Sequence, residues 1–214
     1  MTSTQDTDRM IHALARQAGV PQSAPSYGAA LAAGIVLSLV SAVALVLLLF
    51  DVRQAGLEAT LANAAFHYKV ASMLTLAAGG VLLARFAGRP GSSALAFIAL
   101  LPGVAILLVG AATDVSGLSI LGVSKVSVPS CVAAIVTLSL PGLASILAAM
   151  RRGVPTRPAL GGAVAGMLAG AIGGAGYAIV CKNDGALFVA LWYTVAMAIV
   201  TGMGALIGRK TLAW

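Results

Sequence analysis

Ionisable side chains are scarce in this 214-residue chain: Asp, Glu, Lys and Arg together make up 9% of it, beside two histidines and two cysteines. With 60% hydrophobic residues and a mean hydropathy of +1.01, there is too little polar surface to coat a soluble globule of this length. The chain reads as an integral membrane protein. No Asp, Glu, Lys or Arg lies deep in any long apolar run, which counts against ion-coupled transporters and intramembrane enzymes, since both usually need buried ionisable groups. No paired-cysteine metal motif, phosphate loop or nucleophile with an adjacent base can be assembled. Neither an enzyme nor a bound cofactor is expected.

What the chain does have is long apolar runs. Six stretches of about the 20 residues needed to cross a bilayer can be drawn, at roughly 28–50, 67–85, 93–112, 131–150, 158–180 and 186–208. The expected fold class is therefore all-α: a polytopic membrane protein, a bundle of six transmembrane helices over residues 27–214 behind a tail at 1–26. The first stretch, Tyr27 to Phe50, is longer than the apolar region of a signal peptide and follows Asp6 and Asp8, so it reads as a retained anchor. The runs are continuous and rich in Ala and Gly, without the alternation of a transmembrane β-barrel.

Charge at the loops sets the expected orientation. With the N-terminus inside, the cytoplasmic positions hold Arg9, Arg16, Arg85, Arg89, Arg151, Arg152, Arg157, Arg209 and Lys210 against Asp6 and Asp8, a net +7. The outer positions hold Arg53, Lys69, Lys125 and Lys182 against Asp51, Glu58, Asp114 and Asp184, a net of zero. Six spans place both termini in the cytoplasm. The basic balance then reflects topology and contact with anionic lipid, with no direct nucleic-acid binding.

In the tail, Asp6 or Thr7 can cap a short helix that places Met10, Ile11, Leu14, Ala15 and Ala18 on one face and stops at Gly19 and Pro21. At about three turns such a helix is marginal alone, which suits a segment that folds in a partner's groove; a polar leader with a chance apolar stripe is the plainer alternative. The second span is bounded by Lys69 and Arg85, which snorkel to the interfaces beside Phe66, Tyr68 and Phe86. The mildly amphipathic loop before it, with Leu57, Leu61 and Phe66, is expected on the outer surface. Spans three and four share Leu101-Pro102-Gly103 and Leu140-Pro141-Gly142 at mid-span, either hinges of a broken-helix site or simply tolerated kinks. Span five carries Gly162, Gly166, Gly170 and Gly174 on one face, a close-packing surface with Gly204 and Gly208 as companions. The outer charges, Asp114 among them, are expected to be solvated.

Spans four and five form a hairpin around the turn Arg151-Arg152-Gly153-Val154-Pro155-Thr156-Arg157. Cys131 opens the first helix and Cys181 closes the second, so an antiparallel pair brings both cysteines to one face and the arginines to the other. Each cysteine can be read as a small apolar residue at a helix end. Their position at the outer boundary instead suggests a thiol pair able to form a disulfide or take a soft metal ion, with Lys182 favouring the thiolate.

The run Cys131, Ile135, Leu138-Ser139-Leu140-Pro141, Arg151-Arg152-Gly153, Pro155, Arg157-Pro158, the glycine ladder, Tyr177, Cys181, Asp184, Phe188-Val189 and Trp192-Tyr193 resembles the NrsF family. These are six-helix anti-sigma factors of the bacterial inner membrane. The resemblance implies a tail, with Leu14 and its neighbours, that sequesters an extracytoplasmic-function (ECF) sigma factor. It also implies a periplasmic pair, Cys131 and Cys181, that releases the factor under heavy-metal or oxidative stress. Pro141 and the turn Arg151, Arg152, Arg157 would couple the two. A homodimer is left open, and the alternative of a different class is a small transporter or channel built on the proline-broken spans.

Overall fold

The computed structural model describes residues 2–18, 26–50, 62–87, 94–124, 127–153 and 155–213. Among them the chain is helical and without strands. We label the helices α1 (Thr2–Ala18), α2 (Tyr27–Leu49), α3 (Ala64–Ala87), α4 (Leu101–Ala112, entered through a 3₁₀ helix at Ala94–Leu100), α5 (Ser127–Met150), α6 (Pro158–Tyr177) and α7 (Ala186–Thr211). Five of them, α2, α3, α5, α6 and α7, are long and apolar enough to cross a membrane. The expected outer-loop positions Asp51, Arg53, Leu57, Glu58, Leu61 and Lys125 and the expected cytoplasmic Arg89 lie outside the described residues, as do Gly19, Pro21 and Val154.

The bundle is arranged around α6, the most buried helix, which packs against α7, α5, α3 and α2. Its glycines explain why. An added Cβ at Gly162 would run into the Gly204 backbone, and one at Gly166 into the backbone of Val200 and Thr201. One at Gly170 would press on Met197 at 3.3 Å, and one at Gly174 on the Met73 sulfur at 3.0 Å. With lipid as solvent there is no hydrophobic gain in bringing helices together, so approach this close is held by dispersion contacts that only missing side chains permit. Gly208 sits against Gly162 and Pro158 in the same seam.

Polar contacts pin the outer helices to this centre. On α2 the buried stripe Leu31, Gly34, Ser38, Ala42 and Val46 follows helical spacing and faces α5. Ser145 of α5 donates its hydroxyl to the Gly34 carbonyl at 2.9 Å. Tyr27 at the start of α2 donates to the Ala84 carbonyl near the end of α3. The 3₁₀–α4 segment lies antiparallel to α3: Gly79 faces Ala99, Gly103 faces Leu76, and Gly110 faces the ring of Tyr68, whose hydroxyl donates to the Leu107 carbonyl at 3.0 Å. The opposite faces carry exposed Val36, Leu37, Val40, Leu47 and Leu48 on α2, and Leu108 and Val109 on α4.

Two expectations change in detail. Pro102 is not in the middle of a helix; it occupies the first turn of α4, where 3₁₀ geometry gives way to α. A proline is tolerated there because its missing N–H would have no intrahelical acceptor. Pro141, by contrast, is inside α5. The N-terminal helix also begins at Thr2, ahead of the expected cap at Asp6 or Thr7, and runs for 17 residues.

Candidate functional site

At one end of the bundle the chain concentrates its buried polar groups. Cys131 lies in the second turn of α5 and is 0% exposed. Cys181 follows α6 on a turn whose backbone N–H still reaches back to Tyr177 O at 3.0 Å, and it is 7% exposed. The helical hairpin brings the two thiols within hydrogen-bonding reach of one another. Neither is in a disulfide. Cys181 Sγ also faces the Asn183 carbonyl at 3.8 Å.

Lys69 is the centre of this cluster. Its position in the second turn of α3 leads the ammonium inward, where it is 1% exposed; it donates to Cys181 O at 3.0 Å and to Asp184 Oδ1 at 2.8 Å. The expectation that Lys69 snorkels to an interface is therefore corrected. A buried ammonium is too costly unless paired, and the Cys181–Asp184 turn supplies both a carbonyl and a carboxylate. Asp184 is in turn held by Asn63, whose Nδ2 donates to Oδ2 at 2.8 Å while its own Oδ1 accepts from Ala65 N at 2.9 Å and caps α3.

The segment between α4 and α5 closes over the same turn. Asp114 accepts at Oδ2 from Leu187 N at 2.8 Å and at Oδ1 from Ser116 N at 2.9 Å. It thus caps α7 from another part of the chain, a role that the reading of solvated outer charges missed. Its hydrogen bonds to Ser116, and then to the Leu187 backbone, hold its carboxyl below the ordinary value. Asn183 Oδ1 accepts from Val123 N at 3.0 Å, and Trp192 Nε1 donates to Ile120 O at 2.8 Å. A pocket of about 200 Å³ lies between this segment and the turn, lined by Gly117, Leu118, Ser119, Gly122, Val123, Asn183, Asp184, Gly185 and Phe188.

Aromatic rings wall the thiols from the side. Phe50 meets Tyr177 at a centroid distance of 5.9 Å, and Tyr177 meets Tyr193 of α7 at 6.1 Å. Tyr193 is 0% exposed, and its hydroxyl has no hydrogen-bond partner of good geometry. Hydrogen bonding with Cys131, and to a lesser degree the Lys69 ammonium, draws the Cys181 thiol below its ordinary value although burial pushes it up. Among the described residues no three His, Cys, Asp or Glu side chains gather into a metal-binding group, so the pair offers two thiols to an ion.

The arginine turn is at the other end. Arg151 Nε donates to Thr211 O at 3.0 Å and lines a pocket of about 240 Å³ with Pro155, Thr211, Leu212 and Ala213. Arg151, Arg152 and Arg157 are exposed. On α1, Met10, Ile11, Leu14 and Ala15 are exposed, and the Ala18 side chain lies outside the described residues.

The family model for NrsF, described as negative regulator of sigma F, matches residues 14–214. The chain belongs to the NrsF family. It is 32% identical over 217 residues, 99% of each chain, to a probable anti-sigma-F factor NrsF of Azospira oryzae. It is 36% identical over 85 residues, 40% of each chain, to the anti-sigma-F factor NrsF of Caulobacter vibrioides. No solved structure matches. The NrsF-family match begins at Leu14, inside α1, and takes in the whole thiol cluster.

Sequence reasoning placed Cys131, Cys181 and the glycines but missed Lys69, Asn63 and Asp114 as structural partners. The available signal was Lys69 itself, an ionisable residue inside an otherwise apolar helix.

Proposed function

We propose that this chain is a membrane-embedded anti-sigma factor that sequesters an ECF sigma factor at the cytoplasmic face and releases it when the thiol pair is modified. The single observation that carries this reading is its end-to-end relationship to a probable anti-sigma-F factor. Residues 1–26 are the sigma-binding tail and 27–214 the membrane domain. The exposed stripe Met10, Ile11, Leu14 and Ala15 of α1 supports the first assignment, because an apolar face left open on a terminal helix suits a groove on a soluble partner.

The membrane domain has six spans, the sixth being the 3₁₀–α4 segment. Seven 3₁₀ and twelve α-helical residues extend about 32 Å, enough for a hydrocarbon core of about 30 Å. Both termini and the arginine turn then face the cytoplasm of a bacterial inner membrane, and Cys131 and Cys181 face the periplasm. Metal or oxidant acting on the thiols alters the seating of the Cys181–Asp184 turn between α6 and α7. The tight α6–α7 seam and Pro141 of α5 carry the change to Arg151, Arg152 and Arg157. The role is regulatory and not catalytic. A transporter built on two broken helices has less support, since Pro102 begins a helix instead of breaking one.

The test is a pull-down from membranes with the full chain and with residues 2–26 deleted. A sigma factor retained by the first and lost by the second is the expected result; none with either would sink the reading. For the thiol part, a C131S/C181S double variant should hold its sigma factor under cadmium or peroxide stress, and normal release from it would remove the cysteines from the mechanism.

A further inference from the structure

The arginine end of the bundle carries charge that the helices around it do not balance. Arg151, Arg152, Arg157, Arg209 and Lys210 are all exposed, and the sequence holds no Asp or Glu from Val115 to Asn183 or from Gly185 to Trp214. One of these cations is built into a cavity. Arg151 Nε donates to the Thr211 carbonyl at 3.0 Å, which ties the turn after α5 to the last residue of α7. The guanidinium thereby becomes the one ionised group lining the pocket of about 240 Å³, whose other walls are Pro155, Thr211, Leu212 and Ala213. A guanidinium presents its N–H donors in a planar fork. With Nε engaged by Thr211, nothing among the described residues accepts from the Nη edge, which is left for an oxyanion.

The depth of the pocket says which oxyanion. α7 has 26 residues and is about 39 Å long against about 30 Å of hydrocarbon, so about three residues emerge at each end. At this end those are Arg209, Lys210 and Thr211, and the turn before them presents Leu206 at 62% and Ile207 at 39% exposed. An apolar surface thus runs up to the pocket from the bilayer side, and the cations stand at the level of lipid phosphates. An acidic segment of a soluble protein would match the charge but not the apolar approach.

We propose, resting on the membrane placement given above, that the pocket between the α5–α6 turn and the end of α7 binds the phosphodiester headgroup of one anionic phospholipid of the inner leaflet, with Arg151 as its fork and an acyl chain along Leu206 and Ile207. Adjacent N–H groups of a guanidinium match two phosphate oxygens, whereas an ammonium offers only a point charge. A zwitterionic lipid would bring its own ammonium onto a surface that already carries Arg152, Arg209 and Lys210, so an anionic headgroup is selected. The bound lipid adds a second bridge between α5 and α7 at the point where the Arg151–Thr211 bond joins them. The seating of the arginine turn thereby depends on the lipid composition of the membrane.

The experiment titrates the full chain in detergent with phosphatidylglycerol, with phosphatidylcholine of the same acyl chains and with glycerol 3-phosphate, counting bound molecules by native mass spectrometry. One phosphatidylglycerol should bind about tenfold more tightly than phosphatidylcholine, and glycerol 3-phosphate at equal concentration should not displace it. Arg151→Gln and Arg151→Lys should each weaken that site about tenfold, since both lose the fork, whereas Arg209→Gln, outside the pocket lining, should change it less than about twofold. Equal losses from Arg151→Gln and Arg209→Gln, or full binding by Arg151→Lys, would reduce the effect to diffuse surface charge and overturn the proposal. Equal affinity of the wild-type chain for the two lipids would also overturn it, a result that does not depend on recovering the Arg151 variants. Displacement by glycerol 3-phosphate would make the pocket a site for soluble anions and end the lipid assignment. Failure of the broader reading looks different: a chain that selects phosphatidylglycerol through Arg151 but retains no sigma factor loses the anti-sigma role and keeps this site.

Discussion

The two ends of the α5–α6 hairpin are held by different physics. At the thiol end, α3, α6 and α7 meet through Lys69, Asn63, Asp184, Asp114 and Asn183, a set of directional contacts of 2.8–3.0 Å. Toward the arginine end, α6 and α7 meet through Gly162, Gly166, Gly204 and Gly208, backbone against backbone. A seam of glycines has one close-packed arrangement and resists alteration, whereas a polar cluster can exchange partners when one member changes charge or chemistry. The molecule thus places its adjustable contacts beside its cysteines and its stiff ones along the α6–α7 seam.

The largest effects should come from breaking the stiff end. Gly166→Leu puts a side chain where the Val200 carbonyl and Thr201 stand, and Gly162→Leu does the same at Gly204. Each should cost about 3 kcal/mol or more and prevent recovery of folded protein, read by thermal unfolding in detergent. Gly28→Ala and Gly202→Ala, with nothing within 4 Å of an added Cβ, are the controls and should leave the melting curve in place. If all four behave alike, the seam is not what holds the bundle.

At the adjustable end the expected losses are smaller and asymmetric. Lys69→Met removes the ion pair but leaves Asp184 40% exposed and hydrated, so its cost should be about 1–2 kcal/mol. Asp184→Asn strands an ammonium that is 1% exposed and should cost more than Lys69→Met. A double-mutant cycle between them tests this, and equal single costs would mean that Lys69 finds another partner.

The smallest effect concerns Asp114. Its carboxyl is held below the ordinary value in the folded chain, so its contribution is present above the unfolded value of about 3.9 and fades as pH falls through the lower folded one. Wild-type protein should therefore lose protection of the amide N–H groups at the start of α7 in acid. Asp114→Asn should flatten that part of the profile, and hydrogen exchange is the measurement.

Much of this architecture is legible in the order of residues. The long apolar runs mark the helices, because a stretch of about 20 such residues has few other places to go. The hairpin follows from its seven-residue turn, and with it the meeting of Cys131 and Cys181, since consecutive helices with a short connection run antiparallel. The glycine spacing of α6 likewise announces a close-packed face, being a local pattern on one helix.

The partnerships at the thiol end are another matter. Lys69 and Asp184 are 115 positions apart, and Asp114 and Leu187 are 73 apart. Nothing local distinguishes a lysine that snorkels to an interface from one that turns inward. That outcome depends on whether a carbonyl and a carboxylate arrive within about 3 Å, which follows from how three helices pack. The same holds for Tyr193, whose hydroxyl is an ordinary feature of an apolar helix until packing buries it without a hydrogen-bond partner. Span length, orientation signals and small-residue faces are sums over neighbouring residues and can be read in order. Which polar groups are buried together is a property of distant residues meeting, and only the folded bundle specifies it.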